Sequence, residues 1–210
     1  MIRILVADDH TVVRQGVKQI LADEKDMAVI DEAQDGAETL EKVLKQNFDV
    51  VLLDISMPGR SGLEVLEDIK DQRPKLAVLI LSMHPEEQYA VRALRAGASG
   101  YLTKASAPQE LIGAIRKVAH GGKYVTTSLA EKLISEMEIH TEKLPHERLS
   151  NREYQIMLML AEGKSVSNVA DELCLSVKTI STYRSRVMEK MGMKKNAELT
   201  LYAVHNKLID

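Results

Sequence analysis

Five short apolar runs alternate with amphipathic stretches over roughly the first 120 residues. The runs are Ile2–Ala7, Met27–Ala33, Val50–Leu53, Leu76–Leu81 and Gly100–Leu102, each bounded by turn-forming residues, as strands buried in a parallel sheet are. Between them lie stretches with helical spacing, such as Val12–Leu21 (Val13, Val17, Ile20, Leu21) and Ala37–Leu44 (Leu40, Val43, Leu44). Asp35-Gly36 and Arg73-Pro74 mark boundaries between them. Strict strand–helix alternation predicts right-handed crossovers and an α/β unit over residues 1–120, a five-stranded, parallel, doubly wound sheet. Beyond Gly121-Gly122 the strand pattern stops. Residues 121–148 read as a linker with one short helix, Leu129–Met137, capped by Ser128. Residues 149–210 read as an all-α unit of four short helices, whose caps are Ser150 (with Glu153 three residues on), Ser165 and Ser176.

In a doubly wound sheet, ligands bind outside the carboxyl ends of the strands. Four of those ends carry polar chemistry here: Asp8-Asp9 after the first run, Asp54 after the third, Ser82 after the fourth, and Lys104 after the fifth with Tyr101 just before it. Three carboxylates at one rim repel each other and call for a hard divalent cation with oxygen ligands, Mg²⁺ above all. A lysine and a hydroxyl beside them suit the oxygens of a transferred phosphoryl group, and the central carboxylate is left as its acceptor. A set of loop charges that merely solvate a sheet edge explains one such residue but not all of them.

Charge separates the two halves further. The 210 residues carry a formal net charge of −3, yet residues 149–210 hold nine Lys and Arg against seven Asp and Glu. Lys178, Arg184, Arg186, Lys190, Lys194 and Lys195 gather on and just after the third of the C-terminal helices. Ile180, Val187 and Met191 share one face of it; Lys178, Ser181, Thr182, Ser185, Arg186 and Glu189 fall on the other. Two short helices joined by a tight turn, the second basic and studded with short hydroxyls, predict a helix-turn-helix that places this helix in the DNA major groove. The single Cys174 excludes an internal disulfide and suits a reducing compartment. With no signal-like start and no run of transmembrane length, a cytoplasmic protein is expected.

Particular motifs carry a resemblance. Asp8-Asp9, Asp54-x-x-Met57-Pro58-x-x-x-Gly62, Ser82, Ala96-Gly97-Ala98 and Tyr101-x-x-Lys104 resemble a two-component receiver domain, of flavodoxin- and CheY-like fold. Leu149-Ser150-x-Arg152-Glu153, Ala161-x-Gly163-x-Ser165, Val169-Ala170-x-x-Leu173 and Ser176-x-Lys178-Thr179-Ile180 resemble the LuxR-type output domain. The whole chain is similar to a response regulator of the NarL/FixJ family.

The resemblance implies that a sensor histidine kinase phosphorylates Asp54. Asp8, Asp9, Asp54 and the Ser56 carbonyl would hold Mg²⁺, Lys104 would pair with the phosphoryl oxygens, and Ser82 and Tyr101 would move as a switch. It assigns DNA contacts to Lys178, Thr179, Ser181, Thr182, Arg184, Ser185 and Arg186, and a homodimer contact to Leu199, Tyr202 and Ala203. Phosphorylation would promote dimerisation and binding to double-stranded promoter DNA.

The chain also departs from the family. Ala105 replaces a common cis-proline, and a cis bond without proline costs about 3 kcal/mol, so the loop after Lys104 is expected to differ. Met83 follows the switch hydroxyl, where a small residue is common. Met83 and His84 are expected to shape water access to the phosphoryl group, with a solvated loop histidine as the alternative for His84. Ser181 and Tyr183 stand where relatives commonly have Lys and His, so base preference does not transfer. An aspartyl-phosphate hydrolase would carry a second carboxylate two residues after Asp54, where Ser56 stands, and neither a P-loop nor a dinucleotide fingerprint is present. A protein- or RNA-binding helical tail is disfavoured by the basic helix. The expectation is a regulator rather than an enzyme.

Overall fold

Five strands, β1 (Ile2–Ala7), β2 (Met27–Ala33), β3 (Val50–Leu53), β4 (Ala77–Ser82) and β5 (Gly100–Thr103), pair in parallel in the order β2-β1-β3-β4-β5. The structure is a computed structural model and describes residues 1–138 and 144–209. It divides into two compact units, Met1–Ile134 and Ser135–Asp210. Helices α1 (Thr11–Leu21), α2 (Gly36–Lys45), α3 (Gly62–Gln72), α4 (Glu86–Arg95) and α5 (Pro108–Ala119) alternate with the strands. The doubly wound α/β architecture read from the sequence is therefore the one found.

β1, β3 and β4 are the inner strands, and β3 and β4 are buried along their whole length. One core packs Ile4, Val6, Val50, Leu52, Leu79 and Leu81 against Val17 and Leu21 of α1 and Leu111, Ile115 and Val118 of α5. Apolar burial of this kind is worth about 25 cal/mol per Å² and fixes which face each helix presents. Where the edge strand β2 pairs with β1 the register shifts: Ile4 lies opposite Val29 and Leu5 opposite Asp31. Such irregularities blunt an edge strand as a pairing template.

The opposite edge is covered differently. Tyr124 bridges Gly100 of β5, and its amide donates to the Ser99 carbonyl at 2.8 Å. The next turn opens α6 (Thr127–Glu138), where the Thr126 hydroxyl accepts the Leu129 amide at 3.2 Å and itself donates to the Glu86 carboxylate at 2.8 Å. Thr126, not Ser128, is thus the cap of this helix. Part of the polar stretch read as linker, residues 139–143, lies outside the described residues. Its end, Pro145–Arg148, forms a short 3₁₀ helix.

The second unit holds α7 (Asn151–Ala161), α8 (Val166–Glu172), α9 (Val177–Met191) and α10 (Asn196–His205). The three predicted caps are in place: Ser150, Ser165 and Ser176 accept the amides of Glu153, Asn168 and Thr179. Glu153 returns the bond to the Ser150 amide, completing a capping box. At the far end of α9, Gly192 takes the left-handed conformation (φ 67°, ψ 28°) that releases the chain toward α10.

Candidate functional site

The carboxyl ends of β1, β3, β4 and β5 meet at one rim, as sheet register requires. Asp54 is 2 % exposed and Asp8 equally so. Lys104 Nζ lies 2.9 Å from Asp54 Oδ2 and 2.7 Å from Asp8 Oδ2. Burial raises the Asp54 carboxyl above the ordinary range; the Lys104 ammonium pulls it down, and Asp8 adds to the rise. Burial would lower the Lys104 ammonium, but the Asp54 and Asp8 carboxylates more than reverse this and leave it raised.

One ligand atom each from Asp8, Asp9, His10 and Asp54 lies within 4.8 Å of the others. His10 Nδ1 approaches Asp9 Oδ1 to 2.8 Å without hydrogen-bond geometry. Asp9 Oδ1 and Asp54 Oδ1 are buried atoms without a hydrogen-bond partner. Unsatisfied buried carboxylate oxygens are costly, and two of them among residues clustered this closely fit a cation there. The charges agree. Asp8, Asp9 and Asp54 against Lys104 leave two negative charges, which a divalent ion with oxygen ligands balances.

The remaining rim residues surround this cluster. Ser82 is fully buried, and its hydroxyl accepts the His84 amide at 3.2 Å. Tyr101 is 1 % exposed, and its hydroxyl donates to the His84 carbonyl at 2.8 Å. Desolvation raises the Tyr101 phenol well above its usual value, so it stays protonated and a donor. The Ser56 hydroxyl pairs with His84 Nε2 at 3.0 Å, and the His84 ring packs on Tyr89 at 4.9 Å. His84 is therefore no solvated loop histidine: it links the β3–α3 and β4–α4 loops. Met83 is largely exposed. The loop after Lys104 is closed by the Ser106 amide on the Thr103 carbonyl at 3.0 Å, and there is no cis peptide bond among the described residues. Gly62 explains the spacing of its motif. A Cβ there would sit 1.9 Å from the Asp54 carbonyl oxygen.

In the second unit, α9 buries Ile180, Val187, Met188 and Met191 and exposes Lys178, Ser181, Thr182, Ser185 and Arg186. Thr179 is half-buried; its hydroxyl lies 2.8 Å from that of Ser176. Thr182 and Ser185 donate their hydroxyl protons to the Lys178 and Ser181 carbonyls, leaving the oxygens outward as acceptors. Arg184 is half-buried, its Nε donating to Asn196 Oδ1 at 2.8 Å, so it joins α9 to α10 more than it faces outward. Lys190 donates to Glu153 at 2.6 Å and ties the basic helix to α7.

Two of the three predicted dimer residues are displaced. Leu199 and Ala203 are wholly buried in the unit's own core, where α10 packs on α7. Tyr202 is half-buried, and its hydroxyl meets His146 Nδ1 at 2.7 Å. The large apolar residues that α10 leaves exposed are Leu201 (73 %) and Val204 (47 %).

Comparison with known proteins gives the same two-part division. Residues 4–116 match the response regulator receiver domain, and residues 147–203 match the luxR family of bacterial regulatory proteins. The chain is 38 % identical to the response regulator GacA of Pseudomonas viridiflava, over 100 % of this chain and 99 % of that one. It is 38 % identical to the response regulator UvrY of Escherichia coli (strain K12), over 99 % and 96 %. A solved structure of RcsB from Salmonella enterica serovar Typhimurium, bound to promoter rprA in the presence of the phosphomimetic BeF3-, aligns with a TM-score of 0.66 and 26 % identity, over 97 % and 99 %.

Proposed function

Because the chain belongs to the response regulators that join a receiver domain to a LuxR-type DNA-binding domain, and is a DNA-binding transcription regulator, we propose that Mg²⁺-dependent phosphorylation of Asp54 controls its dimerisation and promoter binding. The observation that carries this is a buried Asp54 held by Lys104, with its other oxygen unpartnered beside Asp8 and Asp9.

The donor is the phosphohistidine of a sensor kinase. The Asp54 carboxylate attacks phosphorus, the phosphorus–nitrogen bond breaks, and the imidazole leaves with the bonding pair and takes a proton from solvent. Asp8, Asp9, Asp54 and the Ser56 carbonyl would hold the Mg²⁺, which when bound would neutralise carboxylate and phosphoryl charge. Lys104 exchanges Asp54 for a phosphoryl oxygen, and Ser82 donates its hydroxyl proton to another. That turn releases the His84 amide, and Tyr101 follows the β4–α4 loop through its bond to the His84 carbonyl. One new charge thereby biases a two-state element. The chain turns over no outside substrate; the acyl phosphate is lost by hydrolysis.

On the output side, Lys178, Arg186 and the Thr179 region contact DNA phosphates, while Ser181, Thr182 and Ser185 approach base edges. Leu201 and Val204 supply the apolar dimer contact on α10. Kinase and promoter are met in the cytoplasm, and no described helix is long and apolar enough to cross a membrane.

The test is duplex binding, on DNA selected by the chain from a random pool, with and without acetyl phosphate and Mg²⁺, for wild type and Asp54→Asn. Tighter binding by donor-treated wild type alone is expected. Binding that ignores the donor in both proteins refutes control through Asp54.

A further inference from the structure

Arg14 lies on the first turns of α1 and is no part of the acidic cluster, yet its guanidinium reaches the backbone between two of that cluster's carboxylates. Nη1 donates to the Asp8 carbonyl at 2.6 Å, Nη2 to the Thr11 hydroxyl at 3.2 Å, and Nε to Glu32 Oε2 at 2.9 Å. The side chain is only 12 % exposed. Glu32, on the edge strand β2, is held ionised: Lys18 and Arg14 bring its carboxyl below the ordinary range against the effect of burial. The guanidinium is therefore anchored by a charged partner on a strand while its fork grips the loop.

The gripped oxygen belongs to the peptide unit that joins Asp8 to Asp9. That unit is planar, so its rotation about the Asp8 Cα–C bond would swing the Asp9 backbone and, with it, the direction of the Asp9 carboxylate relative to that of Asp8. Asp8 is already fixed on its other side by its amide, which donates to the Ala33 carbonyl at 3.0 Å. With both flanks held, the carboxylates keep a single aim.

We propose that Arg14 is a positioning residue for the divalent cation, setting the Asp8–Asp9 peptide plane so that both carboxylates converge with Asp54. This rests on the proposed Mg²⁺-dependent phosphorylation. Coulomb's law and the clamp predict opposite outcomes when the charge is removed. Deleting a nearby cation should tighten binding of another cation, whereas releasing the peptide plane should weaken it.

The experiment is a calorimetric titration of the full chain with Mg²⁺. Wild type, Arg14→Gln and Lys18→Gln are compared, the last removing a cation that shares Glu32 but not the Asp8 carbonyl. Partners behind metal ligands typically contribute 10–100-fold in affinity, so a loss of about tenfold is expected for Arg14→Gln. Lys18→Gln should bind as wild type does or more tightly. The phosphorylation rate of Arg14→Gln should fall at low Mg²⁺ and recover at saturating Mg²⁺. Unchanged or tighter binding by Arg14→Gln, or an equal loss in Lys18→Gln, overturns the clamp. Should Arg14→Gln melt below the assay temperature, Glu32→Ala, which removes the acceptor that anchors the guanidinium, is titrated instead, and a wild-type affinity there overturns it equally. Wild type that binds no Mg²⁺ would overturn the proposed function, and the role of Arg14 with it.

Discussion

Replacing Gly62 with alanine adds one methyl group at the start of α3, and the geometry makes it a severe change. The new carbon would lie 1.9 Å from the Asp54 carbonyl oxygen, 2.8 Å from its carbonyl carbon and 2.9 Å from the Ile55 Cα. Real Cβ atoms essentially never come within 3.0 Å of a neighbour, so about 1 Å of retreat is needed. No side chain can rotate aside, because all three neighbours are backbone. The Gly62 amide also donates to the Ile55 carbonyl at 2.8 Å, so α3 cannot withdraw without losing that bond. Overpacking of this kind costs about 1–3 kcal/mol, and a backbone clash belongs at the upper end. Against a typical domain stability of 5–15 kcal/mol, about 3 kcal/mol is a large share. The displaced residue is the proposed phosphoacceptor, and a misplacement of about 1 Å can slow a reaction on the order of a hundredfold. Calorimetric melting together with the rate of phosphorylation by acetyl phosphate measures both effects. Gly113→Ala is the control: its Cβ meets nothing within 4 Å inside α5, so helix propensity should stabilise it by roughly 0.5–1 kcal/mol. Equal melting temperatures for Gly62→Ala and wild type, with an unchanged phosphorylation rate, would refute the reasoning.

Three further outcomes are expected in the DNA-binding unit. Burial pushes the Glu153 carboxyl up, but Lys190 and the Ser150 amide outweigh it and hold the group below the usual range. Its stabilisation is therefore present above the unfolded pKa of about 4.3 and lost as pH falls through the lower folded value. Glu153→Gln should cost about 1 kcal/mol at neutral pH and nothing in strong acid, as urea melts at several pH values will show. Ser176→Ala removes the cap of α9 and should cost roughly 1 kcal/mol, with faster hydrogen exchange confined to its first turn. Leu201→Asp should leave the unit folded while abolishing the cooperative second step of duplex binding, whereas Leu199→Asp should unfold it. Equal melting temperatures for those two variants would invalidate the assignment of α10's faces.

Much of the candidate site was legible because a parallel sheet leaves little freedom. Once the five runs are strands, Asp8, Asp54, Ser82 and Lys104 have to emerge at one rim, whatever the loops do. Caps were legible for the same kind of reason: Ser150, Ser165 and Ser176 each precede an apolar stripe and each sits where an amide needs an acceptor. Thr126 escaped notice because Thr126, Thr127 and Ser128 are chemically equivalent candidates, and only the reach to Glu86 from another helix selects among them. Arg14 and His84 act through contacts with residues 18 and 28 positions away in the chain, Glu32 and Ser56, a separation at which residue type alone says nothing.

The misplaced face of α10 has a different cause. Leu199, Leu201, Tyr202, Ala203 and Val204 leave the helix apolar on nearly every side, so its periodicity selects no face. The choice is made by polar groups between them. The Thr200 hydroxyl donates to the Ala161 carbonyl at 2.9 Å, satisfying one of the orphan acceptors at the end of α7, and Tyr202 meets His146. Those two bonds bracket an arc of the helix that can only be the inner one, and Leu199 and Ala203 lie within it. Leu201 and Val204 fall on the opposite arc, three residues apart and exposed. A helix this apolar with one face uncovered calls for a second surface to cover it. In the proposed twofold dimer a copy of the same two residues would supply that surface, since the patch of an isologous contact is its own complement.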